Sequence, residues 1–235
     1  MTGIELTIHN RRISVKKRPD RFGLLLFTRT DTVSSVRFSD CDFTDNKKYE
    51  WYESELKPGD YAEIAVKNIE DESSPLSVEA CFPPDMQPPD EQVIRDNELG
   101  SYDRLRNRLQ KKGLIKSDGA NASEPEAEKP KIGFELKTQT ECIRAALDSG
   151  VVTLAFDMID TGVWLSFSGL DNHTGAHLVW YDRMLRDGDR FGIRLTGMTE
   201  STPPIDIRPD PEDDESLLER FRQMEQNLKE KRYLK

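Results

Sequence analysis

The chain has 235 residues, enough for two small domains, with charged residues at 33%, hydrophobic ones at 35% and a net charge of −10. Trp, Phe, Leu and Val runs punctuate this polar background, so the composition describes a folded protein and not a disordered one. Acidity on this scale works against a duplex nucleic-acid binder, whose affinity comes from Lys and Arg displacing counterions, and suits a basic protein partner. No apolar run approaches the roughly 20 residues of a membrane helix and the first residues have no signal-peptide character, so a cytoplasmic protein is expected. Cys41, Cys81 and Cys142 are odd in number and far apart, which predicts reduced, partly buried thiols with neither a disulfide framework nor a zinc site.

The strongest signal is internal. A shift of 129 residues lays positions 25–75 on 154–204 without a gap and matches fourteen identities, among them Leu25/Leu154, Phe27/Phe156, Phe38/Phe167, Trp51/Trp180, Tyr52/Tyr181, Gly59/Gly188 and Asp60/Asp189. With one residue of slippage the match reaches Gly3–Leu6 against Gly133–Leu136. The chain therefore reads as a tandem duplication, with repeats over 3–80 and 133–209.

In chain order, Ile4, Leu6 and Ile8 alternate with polar residues and predict a half-buried strand. Strand-length runs follow at Leu24–Phe27, Val33–Phe38 and Tyr61–Val66, and again at Val151–Phe156, Val163–Phe167 and Phe191–Leu195. Between the last two of each series lies W-Y-x-x-x-L-x-x-G-D, Trp51–Asp60 and Trp180–Asp189, whose G-D tail is a tight-turn signal. Trp is expected in the core and Tyr partly exposed. After each repeat the chain turns to Pro and acid, then to helical spacing. Tyr102, Leu105 and Leu109 form a stripe ending at Gly113; Leu217, Phe221, Met224 and Leu228 form another, with Ser216 as N-cap.

The predicted fold class is α+β, mainly β: two tandem small antiparallel lobes, barrel- or sandwich-like, each followed by an amphipathic helix. The predicted boundaries are repeat 1 at 1–85, a helical segment at 86–115, a flexible linker at 116–131, repeat 2 at 132–209 and a C-terminal helix at 210–235.

The stretch Gly169-Leu170-Asp171, Thr174-Gly175, His177-Leu178, Trp180, Asp182, Leu185, Gly188-Asp189 and Ile193 resembles a block in small uncharacterised bacterial proteins, G-L-D-x-x-T-G-x-H-L-x-W-x-D-x-x-L-x-x-G-D-x-x-x-I. The resemblance implies a bacterial, strand-rich domain and no particular activity. It covers about a third of the second repeat's core, and the first departs from it with Asp40-Cys41-Asp42 for G-L-D and Lys48-Tyr49 for H-L.

Chemistry is sparse. Asp171, His173 and His177 have a metal-like spacing, but Gly175 interrupts any helix and the first repeat has no histidine there, so no metal or other cofactor is predicted. Asp60 and Asp189 read as turn residues before general bases. The basic run Arg11, Arg12, Lys16, Lys17, Arg18 and Arg21 reads as a solvated hairpin before a phosphate-binding arm. No nucleophile elbow and no phosphate-cradling loop occurs, so no catalytic residue is predicted. Asp40, Asp42, Asp45, Glu53 and Glu55, with Tyr52 and Tyr181, are the predicted partner-binding residues of a non-enzymatic acidic module, of the bacterial immunity or toxin-inhibitor kind. The alternative is an assembly subunit that associates through its lobes and the Leu217–Leu228 stripe.

Overall fold

Alternation of buried and exposed side chains, period two, sets most of the chain into antiparallel strands. The structure, a computed structural model, describes residues 1–82, 90–116 and 130–234. The first half contributes β1 (Thr2–Ile8), β2 (Arg11–Lys16), β3 (Arg21–Arg29), β4 (Ser34–Asp42), β5 (Lys47–Glu55), β6 (Tyr61–Asn68), β7 (Ser77–Ala80) and helix α1 (Glu91–Lys111). The second repeats the order: β8 (Lys131–Lys137), β9 (Cys142–Ala145), β10 (Gly150–Ile159), β11 (Gly162–Asp171), β12 (His177–Leu185), β13 (Arg190–Met198), β14 (Asp206–Arg208) and α2 (Asp214–Glu230). Among the described residues the protein is mainly β, as expected, with two helices.

The halves are not separate lobes, and neither sheet is a closed barrel. One sheet runs β2-β1-β6-β13-β8-β9 and the other β14-β12-β11-β10-β3-β4-β5-β7, so each crosses from one half into the other. The crossing pairs are β6 with β13 and β3 with β10, both antiparallel. Leu26 opposes Ala155 and Glu63 opposes Gly192; each pair is 129 residues apart, so a pseudo-two-fold axis passes through both. The physical reason for fusion is that either half alone would leave two long unpaired edges, and joining them buries a single core. Ile4, Leu6, Ile64, Phe134, Leu136 and Ile193 of the six-stranded sheet meet Leu25, Phe27, Phe38, Leu154, Phe156 and Phe167 of the eight-stranded one in that core. Edge-to-face pairs Phe27/Phe134 and Phe156/Phe191 join the layers at 6.2 and 5.6 Å.

The G-D turns lock the junction reciprocally. Gly59 N–H donates to the Leu195 carbonyl and Gly188 N–H to that of Val66, both at 2.8 Å, while Val66 and Leu195 N–H groups donate to Asp189 and Asp60. Gly59 and Gly188 adopt φ of 101° and 97°, a conformation costly for any residue with a Cβ.

Three strands per half escape the sequence reading. Trp51–Glu55, taken as a connection, belongs to β5; the basic hairpin arm contains β2; and β7 and β14 are short edges. A register shift after Phe38, and its counterpart after Phe167, places Trp51 and Tyr52 on the same inward face, as it does Trp180 and Tyr181. All four aromatics are buried, the tyrosines included, contrary to the expectation that these would stay partly exposed.

Helices α1 and α2 pack mainly on each other, through Leu105, Leu109 and Leu217 and a Tyr102/Phe221 stack at 5.1 Å. Gly113, at φ 72°, ends α1, and the Leu114 N–H returns to the Leu109 carbonyl as a Schellman closure requires. Asp213, not Ser216, caps α2, accepting from the Ser216 N–H at 2.8 Å. Most of the predicted linker, 117–129, and the proline segment 83–89 lie outside the described residues; Lys131, assigned to the linker, already belongs to β8.

Candidate protein-binding face

The acidic residues singled out from the sequence divide into two groups. Asp40 and Asp42 point into the core, 2% and 3% exposed, where Arg21 lies 3.9 and 3.3 Å from their carboxylates and stacks over the Tyr49 ring at 4.2 Å. Burial pushes the Asp40 carboxyl up to about 6 against the pull of Arg21. Asp42 is held below its ordinary value, first by the Asp45 backbone N–H, at 2.9 Å, then by Arg21. These two residues and the buried Tyr52 and Tyr181 cannot meet a partner, which corrects the sequence expectation. At the corresponding positions of the second half stand Gly150, Gly169 and Leu178. A Cβ at Gly169 would meet the Trp180 ring at 3.0 Å and Leu147 at 3.2 Å, so apolar bulk fills there the space that the arginine cluster fills in the first half.

Asp45, Glu53 and Glu55 are exposed. Glu53 and Glu55 stand on the outer face of the eight-stranded sheet, where side chains of opposite parity to the core form rows across the strands. One row runs Glu53, Arg37, Leu26, Ala155, Ser166, Asp182. The next runs Glu50, Ser39, Leu24, Asp157, Trp164, Met184. Leu24, Leu26, Ala155 and Trp164 are half-buried and form an apolar strip beside the pseudo-two-fold axis. Around it stand five carboxylates, Glu50, Glu53, Glu55, Asp157 and Asp182. The nearby cations are already engaged: Arg37 pairs with Glu53 and lies 3.8 Å from Glu50, and Lys48 lies 3.4 Å from Glu50. The Trp164 indole N–H donates to Asp182.

Asp157 is the exception on this face. It sits between Leu24 and Trp164, and burial alone raises its carboxyl above the ordinary value, with no cation among the described residues opposing. A carboxylate desolvated without a countercharge gains from any cation delivered to it. The sequence holds only a faint sign of this: an aspartate inside the run Val151–Ile159, and leucines on both parities of β3.

The other candidates are structurally occupied. Asp60 and Asp189 accept from the Lys57 and Arg186 N–H groups at 2.7 and 2.9 Å, as turn residues do, and Asp60 also lies 3.2 Å from His9, which shares a hydrogen bond with the Tyr52 hydroxyl at 2.8 Å. The basic run is dispersed, with Arg12 on Glu5, Arg18 on Glu72 and Arg21 in the core. Asp171 accepts from His173 N–H and the Thr174 hydroxyl, while His173 Nε2 faces Lys111 at 2.6 Å. Among the described residues no group of three or more His, Cys, Asp or Glu is placed to hold a metal ion. A cavity of about 590 Å³ lies between the helices and the β11–β12 turn, but its arginines are paired: Arg108 with Asp210, Arg220 with Glu212, and Arg104 with the Ser101 hydroxyl.

No described helix is long and apolar enough to cross a membrane. Compared with known proteins, the chain matches no family model, no curated protein and no solved structure.

Proposed function

We propose that the chain is a non-enzymatic protein-binding module that receives a cationic segment of its partner on the outer face of the eight-stranded sheet. An immunity protein or inhibitor of a basic toxin is the form of this reading that we favour. Asp157 carries it: a half-buried carboxylate without a countercharge among the described residues, on an apolar strip rimmed by Glu53, Glu55 and Asp182, is complementary to a Lys or Arg flanked by apolar side chains. The assembly-subunit alternative draws less support, because Leu217 and Leu228 are buried within the chain itself.

The test is affinity capture with the full chain as bait, in parallel with an Asp157→Lys/Glu53→Lys variant and a Glu63→Lys control on the opposite sheet. A partner kept by wild type and control, lost by the double variant and released by moderate salt is expected. A partner held equally by all three would refute the assignment of this face.

A further inference from the structure

The 129-residue shift that relates the two halves carries Phe43 onto Asn172, Asn46 onto Gly175 and Phe82 onto Pro211. In the second half these three residues line the cavity between the helices and the β11–β12 turn, opposite Arg104, Leu105 and Arg108 of α1. A Cβ at Gly175 would collide with the Arg108 guanidinium, and Lys111 reaches His173 at 2.6 Å, so α1 stands over that corner of the sheet. The first half's corner is open. Phe43 and Phe82 are 58% and 60% exposed there and stack on each other at 6.4 Å, and Phe22, on the outer face of β3, is 38% exposed. The copy that a helix shields thus carries asparagine and proline, whereas the unshielded copy carries a phenylalanine pair, the reverse of what contact with water favours.

The pair is pinned in place. Phe82 N–H donates to Asn46 Oδ1 at 2.8 Å, Asn46 Nδ2 donates to the Phe82 carbonyl at 3.1 Å, and Cys81 N–H donates to the Asn46 carbonyl at 3.2 Å. The rim carries both signs of charge. Lys48 and Glu79 belong to the outer-face row that starts at Phe22 and crosses Cys41, and Asp45 and Lys47 stand at the β4–β5 turn. A surface that meets its own copy across a two-fold axis needs such a rim, because each acid can then oppose a base. The carboxylates around Asp157 would instead set acid against acid.

We propose that the Phe43–Phe82 corner is a self-association surface whose occupant is the same corner of a second copy of this chain, related by a two-fold axis. The phenylalanines of the two copies pack on each other, and the mixed rims pair around them. The contact does not depend on the cationic partner assigned to the Asp157 strip.

Sedimentation velocity of the full-length protein over a concentration series should show a reversible monomer–dimer equilibrium. Phe43→Ser/Phe82→Ser should weaken it at least about tenfold with circular dichroism unchanged, since the bonds that fix this turn run through Asn46 and the Phe82 backbone. Asp157→Lys/Glu53→Lys, which tests the cationic-partner reading, should dimerise as the wild type does, so the two proposals fail separately. Asp45→Lys/Glu79→Lys and Lys47→Glu/Lys48→Glu each leave a rim of one sign; either alone should dimerise more weakly than wild type, and the two mixed should form a heterodimer. A wild type monomeric at every concentration, a dimer untouched by Phe43→Ser/Phe82→Ser, a dimer lost in Asp157→Lys/Glu53→Lys, or rim variants that associate no better mixed than alone would each overturn the proposal.

Discussion

Trp51 and Trp180 occupy equivalent places in one core: the first donates its indole N–H to the Ser73 carbonyl at 2.9 Å, the second to the Thr202 carbonyl at 2.8 Å. The acceptors are separated by the same 129 residues as the donors. Each indole also leans on its own phenylalanine, Phe38 at 6.0 Å and Phe167 at 5.6 Å. The sequence repeat is thus a repeat of environment as well as of letters.

Trp51→Phe and Trp180→Phe should therefore cost similar amounts, about 1–3 kcal/mol each, from the stranded carbonyl and lost packing. Denaturant titration of the two variants checks this, and a difference well beyond 1 kcal/mol would mean the two sites are not alike.

Because both sheets run through both halves, thermal or denaturant unfolding should be one cooperative transition, even though the chain is long enough for two domains. Tryptophan fluorescence and far-ultraviolet circular dichroism should report coincident midpoints. Two resolved transitions would show that the halves unfold independently.

Asp31 and Asp160 match in sequence but not in role. Both are exposed, but Asp31 reaches across the junction and accepts from Gly150 N–H at 2.8 Å and the Ser149 hydroxyl at 2.9 Å, bonds that Asp160 does not make among the described residues. Asp31→Ala should cost about 1–2 kcal/mol and Asp160→Ala no more than about 0.5 kcal/mol, measured by the same titration.

Asp40 imposes a pH dependence. Its folded value of about 6 lies above the unfolded 3.8, so the native state binds more protons between these values and stability falls as pH rises through that interval. The cost is complete above the folded value and amounts to at most about 3 kcal/mol, for a shift of about two units. Asp40→Asn should remove this decline and be the more stable protein at pH 7; stability curves for both proteins from pH 4 to 8 check it.

Local pattern exposed some of this and concealed the rest. Strands β1 and β6 alternate regularly and β3 carries a compact apolar run, so all three could be read directly, and Gly59 and Gly188 marked their turns. Strand β5 was hidden because its bulge turns Trp51 and Tyr52 inward consecutively, which breaks the alternation on which a strand is recognised. The same bulge misplaced Tyr52 at the surface. Asp40 and Asp42 looked like surface acids because their countercharge, Arg21, arrives from a different strand. The apolar strip at Leu24, Leu26 and Trp164 exists only once β3 and β10 lie side by side, a pairing between residues more than a hundred positions apart that no local period encodes.

The reciprocal bonds of Gly59 and Gly188 also bear on what a half-length chain would do. Freed from its other half, it would carry two bare strands, β3 and β6, and a glycine turn lacking its acceptor. Two such fragments, related by an exact rotation, could satisfy each other through the same hydrogen bonds, so the full-length protein has the geometry of a symmetric dimer whose subunits share one backbone.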